Sequence, residues 1–227
     1  ISLCACCVIA ASFSGCQQEG QVVESLKQKG ANVSAGLDGR PKSLRFEGSV
    51  TAADIAKVKG LSSLQEIHAD APEAGDAEFE ILAKMPSLVT ISMTNSKATG
   101  TAIKALATAK SLKHLDLSGA AGLTDEDLSP LKDHAGLRVL KLANTPLTDG
   151  IADVIVTSKH LEDLSLTGTK ITAATVQRLA DEVPGLKSLS IGSADVTDDA
   201  VTSIAKLQNL ETLEITDSGI TGGQFSE

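Results

Sequence analysis

Six times between residues 88 and 215 the sequence runs through the same pattern of aliphatic positions: LVTISM from Leu88, LKHLDL from Leu112, LRVLKL from Leu137, LEDLSL from Leu161, LKSLSI from Leu186 and LETLEI from Leu210. A weaker copy, LQEIHA, starts at Leu64, and PKSLRF from Pro41 puts Leu44 and Phe46 at the second and third aliphatic positions. From Leu64 onward the first positions lie 24, 24, 25, 24, 25 and 24 residues apart. A spacing held that tightly makes each period one structural copy of the next.

Each copy changes its hydrophobic period partway. The L-x-L end alternates, which suits a strand whose inward side chains repeat every two residues. After it comes a turn with a small hydroxyl residue, an aliphatic one and Thr, as in TPLTD at Thr145 or TKIT at Thr169. A three-residue stripe follows: Ile55, Val58 and Leu61; Phe79, Leu82 and Met85; Val201, Ile204 and Leu207. That spacing lays an apolar line along a helix. One strand and one helix cannot bury these faces alone, whereas stacked copies can. Strands sit about 4.8 Å apart and helices about 10 Å, so the stack bends into a horseshoe with its parallel sheet on the concave face and helices on the convex face. The class is α/β.

Residues 41–221 resemble leucine-rich-repeat proteins, in particular the bacterial 24-residue type with a T-x-I/L-T-D turn. The resemblance implies a solenoid of seven to eight repeats over residues 41–227. It also implies a binding rather than a catalytic role. The family's usual turn Asn is expected to be replaced here by Ser96, Thr145, Thr169 and Ser218, whose hydroxyls reach turn carbonyls. Ala120 and Ala194 cannot do so, which predicts looser turns. Thr-Asp pairs such as Thr148-Asp149 and Thr197-Asp198 stand where oxygen acceptors cap a helix start. GAAG at Gly119–Gly122 reads as a one-residue insertion in a repeat.

All four cysteines fall in the first sixteen of 227 residues, within ISLCACCVIAASFSGCQQEG. The body of the protein therefore has no internal disulfide and no thiolate metal site. Cys4, Cys6 and Cys7 lie in an apolar run without a histidine, which argues against zinc; neither metal nor cofactor is expected. That run is too short to span a bilayer as a helix and has the length of a signal-peptide core. FSGC resembles the lipobox of bacterial lipoproteins. The resemblance implies that residues 1–15 are removed and that Cys16 becomes the lipid attachment site. It also implies, with Gln17 next, an address at the outer membrane of the cell envelope. Residues 16–40 then form a linker and cap, with Val22, Val23 and Leu26 on one side of a short helix and a hairpin turn at Asp38-Gly39. At the other end only Phe225 is available to cover the last strand, which predicts either self-association at that edge or a sequence cut short there.

The positions between the leucines form two columns on the concave face: Arg45, His68, Ser92, Asp116, Lys141, Ser165, Ser190 and Glu214 in one, and Glu66, Thr90, His114, Val139, Asp163, Ser188 and Thr212 in the other. Arg138 is expected on the same face. Strand geometry pairs His114 with Asp116 and His68 with Asp70, since i and i+2 share a face. Such pairs serve acid–base chemistry when a nucleophile or third ligand accompanies them. No such companion is recognisable, so they read as solvated ion pairs on an open sheet.

A net charge of −9 repels phosphate backbones and argues against nucleic acid. The chain has no Trp and no Tyr. A face without aromatic anchors predicts a weak, largely polar interaction, with a protein, such as another envelope protein, preferred to a polysaccharide. The leading expectation is a non-enzymatic protein-interaction or scaffolding module, tethered to the envelope and binding through Arg45, His68, His114, Asp116, Arg138, Lys141, Asp163 and Glu214. One alternative is an intracellular adaptor of the ubiquitin-ligase receptor type, which needs a helical segment longer than residues 17–40 provide. The other is a hydrolase using His114 and Asp116.

Overall fold

The structure, a computed structural model, describes residues 13–193 and 195–221. Cys4, Cys6, Cys7, the turn at Ala194 and Phe225 lie outside the described residues, as does the side chain of Cys16. The chain enters through α1 (Phe13–Lys27), then β1 (Ala31–Ala35) and β2 (Pro41–Ser49). From there strand and helix alternate: α2 (Ala52–Val58), β3 (Glu66–Asp70), α3 (Asp76–Ala83), β4 (Thr90–Thr94), α4 (Gly100–Leu106) and β5 (His114–Asp116). A 3-10 segment, Glu126–Leu131, leads to β6 (Val139–Lys141). A second, Asp149–Ile151, runs into α5 (Ala152–Ile155) before β7 (Asp163–Thr167), α6 (Ala173–Glu182), β8 (Ser188–Gly192), α7 (Asp199–Ile204) and β9 (Thr212–Ile215). Pro130 sits inside the first 3-10 segment, where its missing N–H removes an α-helical bond.

Among the described residues nine strands make one sheet in chain order, antiparallel between β1 and β2 and parallel from β2 onward. The register is the repeat itself: Ile67, Ile91, Leu115, Leu140, Leu164, Leu189 and Leu213 lie side by side across β3 to β9. Every copy before the last buries its three aliphatic positions, as with Leu137, Leu140 and Leu142, and a fully buried leucine contributes roughly 1.5–3 kcal/mol. Cover thins at the last described strand: Leu213 is 39% exposed where Leu189 is fully buried. At the entry side, Leu26 of α1 is buried and Val22 and Val23 pack partly against the core. Ser62 donates to Glu19 and Ser63 to the carbonyl of Pro41, which ties α1 and the β1–β2 hairpin to the first parallel repeat.

The turns after the strands add a feature to the expected hydroxyls. An amide is present in them, one residue earlier than the hydroxyls, at Asn95 and Asn144, both in the left-handed region with φ of 56° and 55°. Gly119 (78°), Gly168 (71°) and Asp217 (46°) hold the same place in their repeats. These residue types tolerate that conformation best, which is the physical reason for their recurrence. The backbone N–H of Asn95, Gly119, Asn144 and Gly168 each donates to a carbonyl of the following repeat. The side-chain oxygen of Asn95 lies over Gly119 and that of Asn144 over Gly168, so that a Cβ at either glycine would collide with it. The hydroxyls of Thr145 and Thr169 donate to the carbonyls of Leu142 and Leu166 at 2.6 Å. The buried hydroxyl of Ser96 has no partner among the described residues.

The Thr-Asp pairs do more than cap their own helices. Thr148 caps its own segment by accepting from the N–H of Gly150, but Asp149 reaches into the next repeat. Its carboxylate accepts from the N–H and hydroxyl of Thr172 and from the hydroxyl of Thr175. Asp76 does the same for Thr99, Asp125 for Thr148 and Asp198 for Thr221. Three repeats lack the acid, and the first has Ala52 in its place before Gly75, whose N–H goes to Glu78 of its own repeat. Gly100 stands in its place before Thr124, which uses Asp127 of its own repeat, and Ala173 stands in it before Thr197.

Candidate functional site

Because the strands are in register, residues between the buried positions fall into rows. Arg45, His68, Ser92, Asp116, Lys141, Ser165, Ser190 and Glu214 are successive cross-strand neighbours, and so are Glu66, Thr90, His114, Val139, Asp163, Ser188 and Thr212. Both rows follow from the alternation of the pleat, which sends positions i and i+2 to the same face. Where the short side chains Thr90, Ser92 and Val139 lie between Arg45, His68, His114, Asp116 and Lys141, they leave a shallow depression of about 290 Å³.

The partners differ from the strand-geometry expectation. Asp116 accepts from the Ser92 hydroxyl and from the N–H of Ser118, both at 3.0 Å, and no hydrogen bond or ion pair joins it to His114. His114 instead sets Nδ1 3.4 Å from the Thr90 hydroxyl. His68 faces Glu66 at 3.9 Å rather than Asp70, whose carboxylate accepts from Asn95 at 2.9 Å. For Asp116, His114 and Asp70 the partner comes from the neighbouring strand or its end, about 4.8 Å away, whereas His68 meets Glu66 two residues back on its own strand. Burial, followed by the charge of Arg45, holds the His68 imidazole below its usual range, against the opposite pull of Glu66 and Asp116.

Lys141 lies 3.8 Å from Asp163, and Ser190 donates to Glu214 at 3.2 Å. Arg138 stands one residue before β6, outside both rows. Its guanidinium meets Glu162, which also takes Lys187 at 2.9 Å, forming a ladder of charges along the strand-entry edge. The Lys187 ammonium, then Arg138, pulls the Glu162 carboxyl below the usual range. The sequence reading missed this edge row because it assigned every polar position of the repeat to one face. Two adjacent polar residues before the middle leucine were the available signal that one belongs to the edge. It also passed over the Asp70–Asn95 pair at the strand ends.

Among the described residues no group of three histidines, cysteines or carboxylates is placed to hold a metal ion. None of their helices is long and apolar enough to cross a membrane. The arrangement presents donors and acceptors over a broad open sheet, which is a geometry for recognition.

A family model described as a leucine-rich repeat matches residues 108–132, the single copy around β5. No curated protein matches the chain in sequence. Among solved structures the chain is similar to an internalin C2 from Listeria monocytogenes, with 18% identity and a TM-score of 0.56 over 90% of this chain and 85% of that one. It is also similar to a second internalin of that organism, inlF, with 18% identity and a TM-score of 0.55, covering 90% of this chain and 63% of that one. Repeat spacing, register and these neighbours agree on one architecture: the chain folds as an α/β leucine-rich-repeat solenoid.

Proposed function

We propose that the protein is a non-enzymatic protein-interaction or scaffolding module that binds through the two polar rows of its sheet face and is tethered to a bacterial cell envelope through Cys16. The observation that carries the binding reading is the unmet hydrogen-bonding capacity of those rows. Among the described residues Arg45 has no carboxylate within ion-pair distance, and Lys141 meets its carboxylate only at 3.8 Å. Polar groups on a fold's structural ladders are satisfied internally, whereas groups that meet a partner are left open to solvent. The absence of Trp and Tyr from the chain favours a polar contact with a protein over carbohydrate stacking. The tether reading is supported by the apolar segment ending in Ser14, Gly15 and Cys16.

The test of the face is capture of partners from envelope extracts by the intact protein and by the triple variant His114→Ala, Asp116→Ala, Lys141→Ala. The expected result is a folded variant that loses its partners. Equal capture by both proteins removes the reading. For the tether, mass spectrometry of the protein made in a bacterium is expected to find an acylated peptide beginning at Cys16; an unmodified peptide spanning residues 10–20 overturns it.

A further inference from the structure

The donors and acceptors of the depression are unequally used, and the imbalance points to a ligand of one sign. The Asp116 carboxylate already takes the Ser92 hydroxyl and the Ser118 N–H. Arg45 has no carboxylate within ion-pair distance among the described residues, so its guanidinium, with five N–H donors, is open to solvent. Lys141 lies beyond hydrogen-bond reach of Asp163, at 3.8 Å, and His114 uses only one ring nitrogen, toward Thr90. Against these donors the β2–β6 half sets one loosely engaged carboxylate, Glu66, 3.9 Å from His68, so its unspent capacity is mainly that of donors.

We propose that this half of the sheet seats an extended acidic segment of a protein partner, one carboxylate on Arg45 and a second on Lys141. The proposal rests on the sheet being the binding face. Arg45 on β2 and Lys141 on β6 are four strand spacings apart, about 19 Å. An extended chain covers that distance in about six residues. Between the two cations the segment crosses His68, Ser92 and Asp116 of the same row, and the short side chains of Thr90, Ser92 and Val139 leave room for its backbone and for a hydrogen bond to His114. Arg45 offers the bidentate geometry that a carboxylate takes best. Asp116 on the path and Glu66 and Asp163 beside it repel a uniformly acidic chain, so spacing of the charges, not their number, is what the face selects. The net charge of −9 opposes approach at low salt but is screened beyond about 8 Å at physiological ionic strength.

The test titrates the full chain with a Gly-Ser peptide of about a dozen residues carrying two glutamates about six residues apart, following backbone and imidazole resonances. Counterparts with glutamine or lysine at the same places serve as the other probes. The glutamate peptide is expected to give saturable shifts at Arg45, Ser92, His114 and Lys141, with affinity about fivefold weaker for Arg45→Ala and partly restored by Arg45→Lys. Absence of saturable shifts, or equal shifts with the glutamine peptide, overturns the acidic segment. So does a lysine peptide that binds instead at Asp163 and Glu214, an outcome that keeps the face as a binding surface. Unchanged partner capture by the triple variant removes the underlying reading independently.

Discussion

The turn side and the sheet face of this solenoid are both polar and both repeat every 24–25 residues, yet they treat their polar groups in opposite ways. On the turn side Asp149 meets three donors, Asn144 lies over Gly168, and each Thr-Asp rung is closed by the neighbouring repeat. On the sheet face Arg45 meets no carboxylate among the described residues, His114 makes one long contact, and residues change from strand to strand along each row. Recurrence with satisfaction marks polar residues that hold the repeats together. Variation without satisfaction marks those free to contact something else.

Substitutions that exchange these behaviours test the contrast, and the largest effect is expected on the turn side. Asp149→Ala strips the acceptor from the N–H and hydroxyl of Thr172 and from the buried hydroxyl of Thr175. It should cost about 2–3 kcal/mol in denaturant unfolding while leaving partner capture by the folded fraction intact. Burial pushes the Asp149 carboxyl up, but the bonds from Thr175 and Thr172 outweigh it and hold the group below its usual range. Its contribution is thus present above the ordinary carboxylate value and lost as pH falls through the lower folded value. The acid limb of the stability profile should be shallower in the variant.

Gly168→Ala comes next, at about 1–2 kcal/mol, since it adds a side chain at φ 71° beneath the Asn144 amide. Combining it with Asn144→Gly should recover the part due to collision. A double-mutant cycle with no coupling would show that backbone conformation alone sets the cost.

On the sheet face, Arg45→Ala should change stability by less than about 0.5 kcal/mol. A larger loss would move Arg45 to the structural side of the comparison. The smallest effect is expected at His68, whose depressed imidazole leaves the native state holding fewer protons than the unfolded chain below the ordinary histidine value. Stability should therefore decline as pH falls from about 7 toward 5, and His68→Gln should flatten that decline. An identical profile in wild type and variant would remove His68 as its source.

Much of this division was visible in the residues before any geometry. The L-x-x-L-x-L period determines which side chains are buried and, through the two-residue alternation of a strand, which ones share a row. Pairings within the rows were not accessible in this way. His68 turns to Glu66 because Asp70 is occupied by Asn95, and that competition depends on a residue 25 positions further on. The left-handed turn place was legible in principle, since Asn95, Gly119, Asn144, Gly168 and Asp217 are the residue types that accept positive φ. Attention to the hydroxyls one step later concealed it. Asp149 looked like a cap for its own helix because a local reading stops at the repeat boundary, whereas the bond it makes crosses it.

The rungs from one repeat's aspartate to the next repeat are missing at three places, Ala52, Gly100 and Ala173. A stack that looks uniform in its leucines is thereby divided by its cross-links into an unlinked first repeat and three blocks: one joined by Asp76, a central one joined by Asp125 and Asp149, and a last one joined by Asp198. Under load or heat such a column parts at its unriveted joints. Amide exchange in native conditions would then proceed by block, with the central pair of rungs opening last.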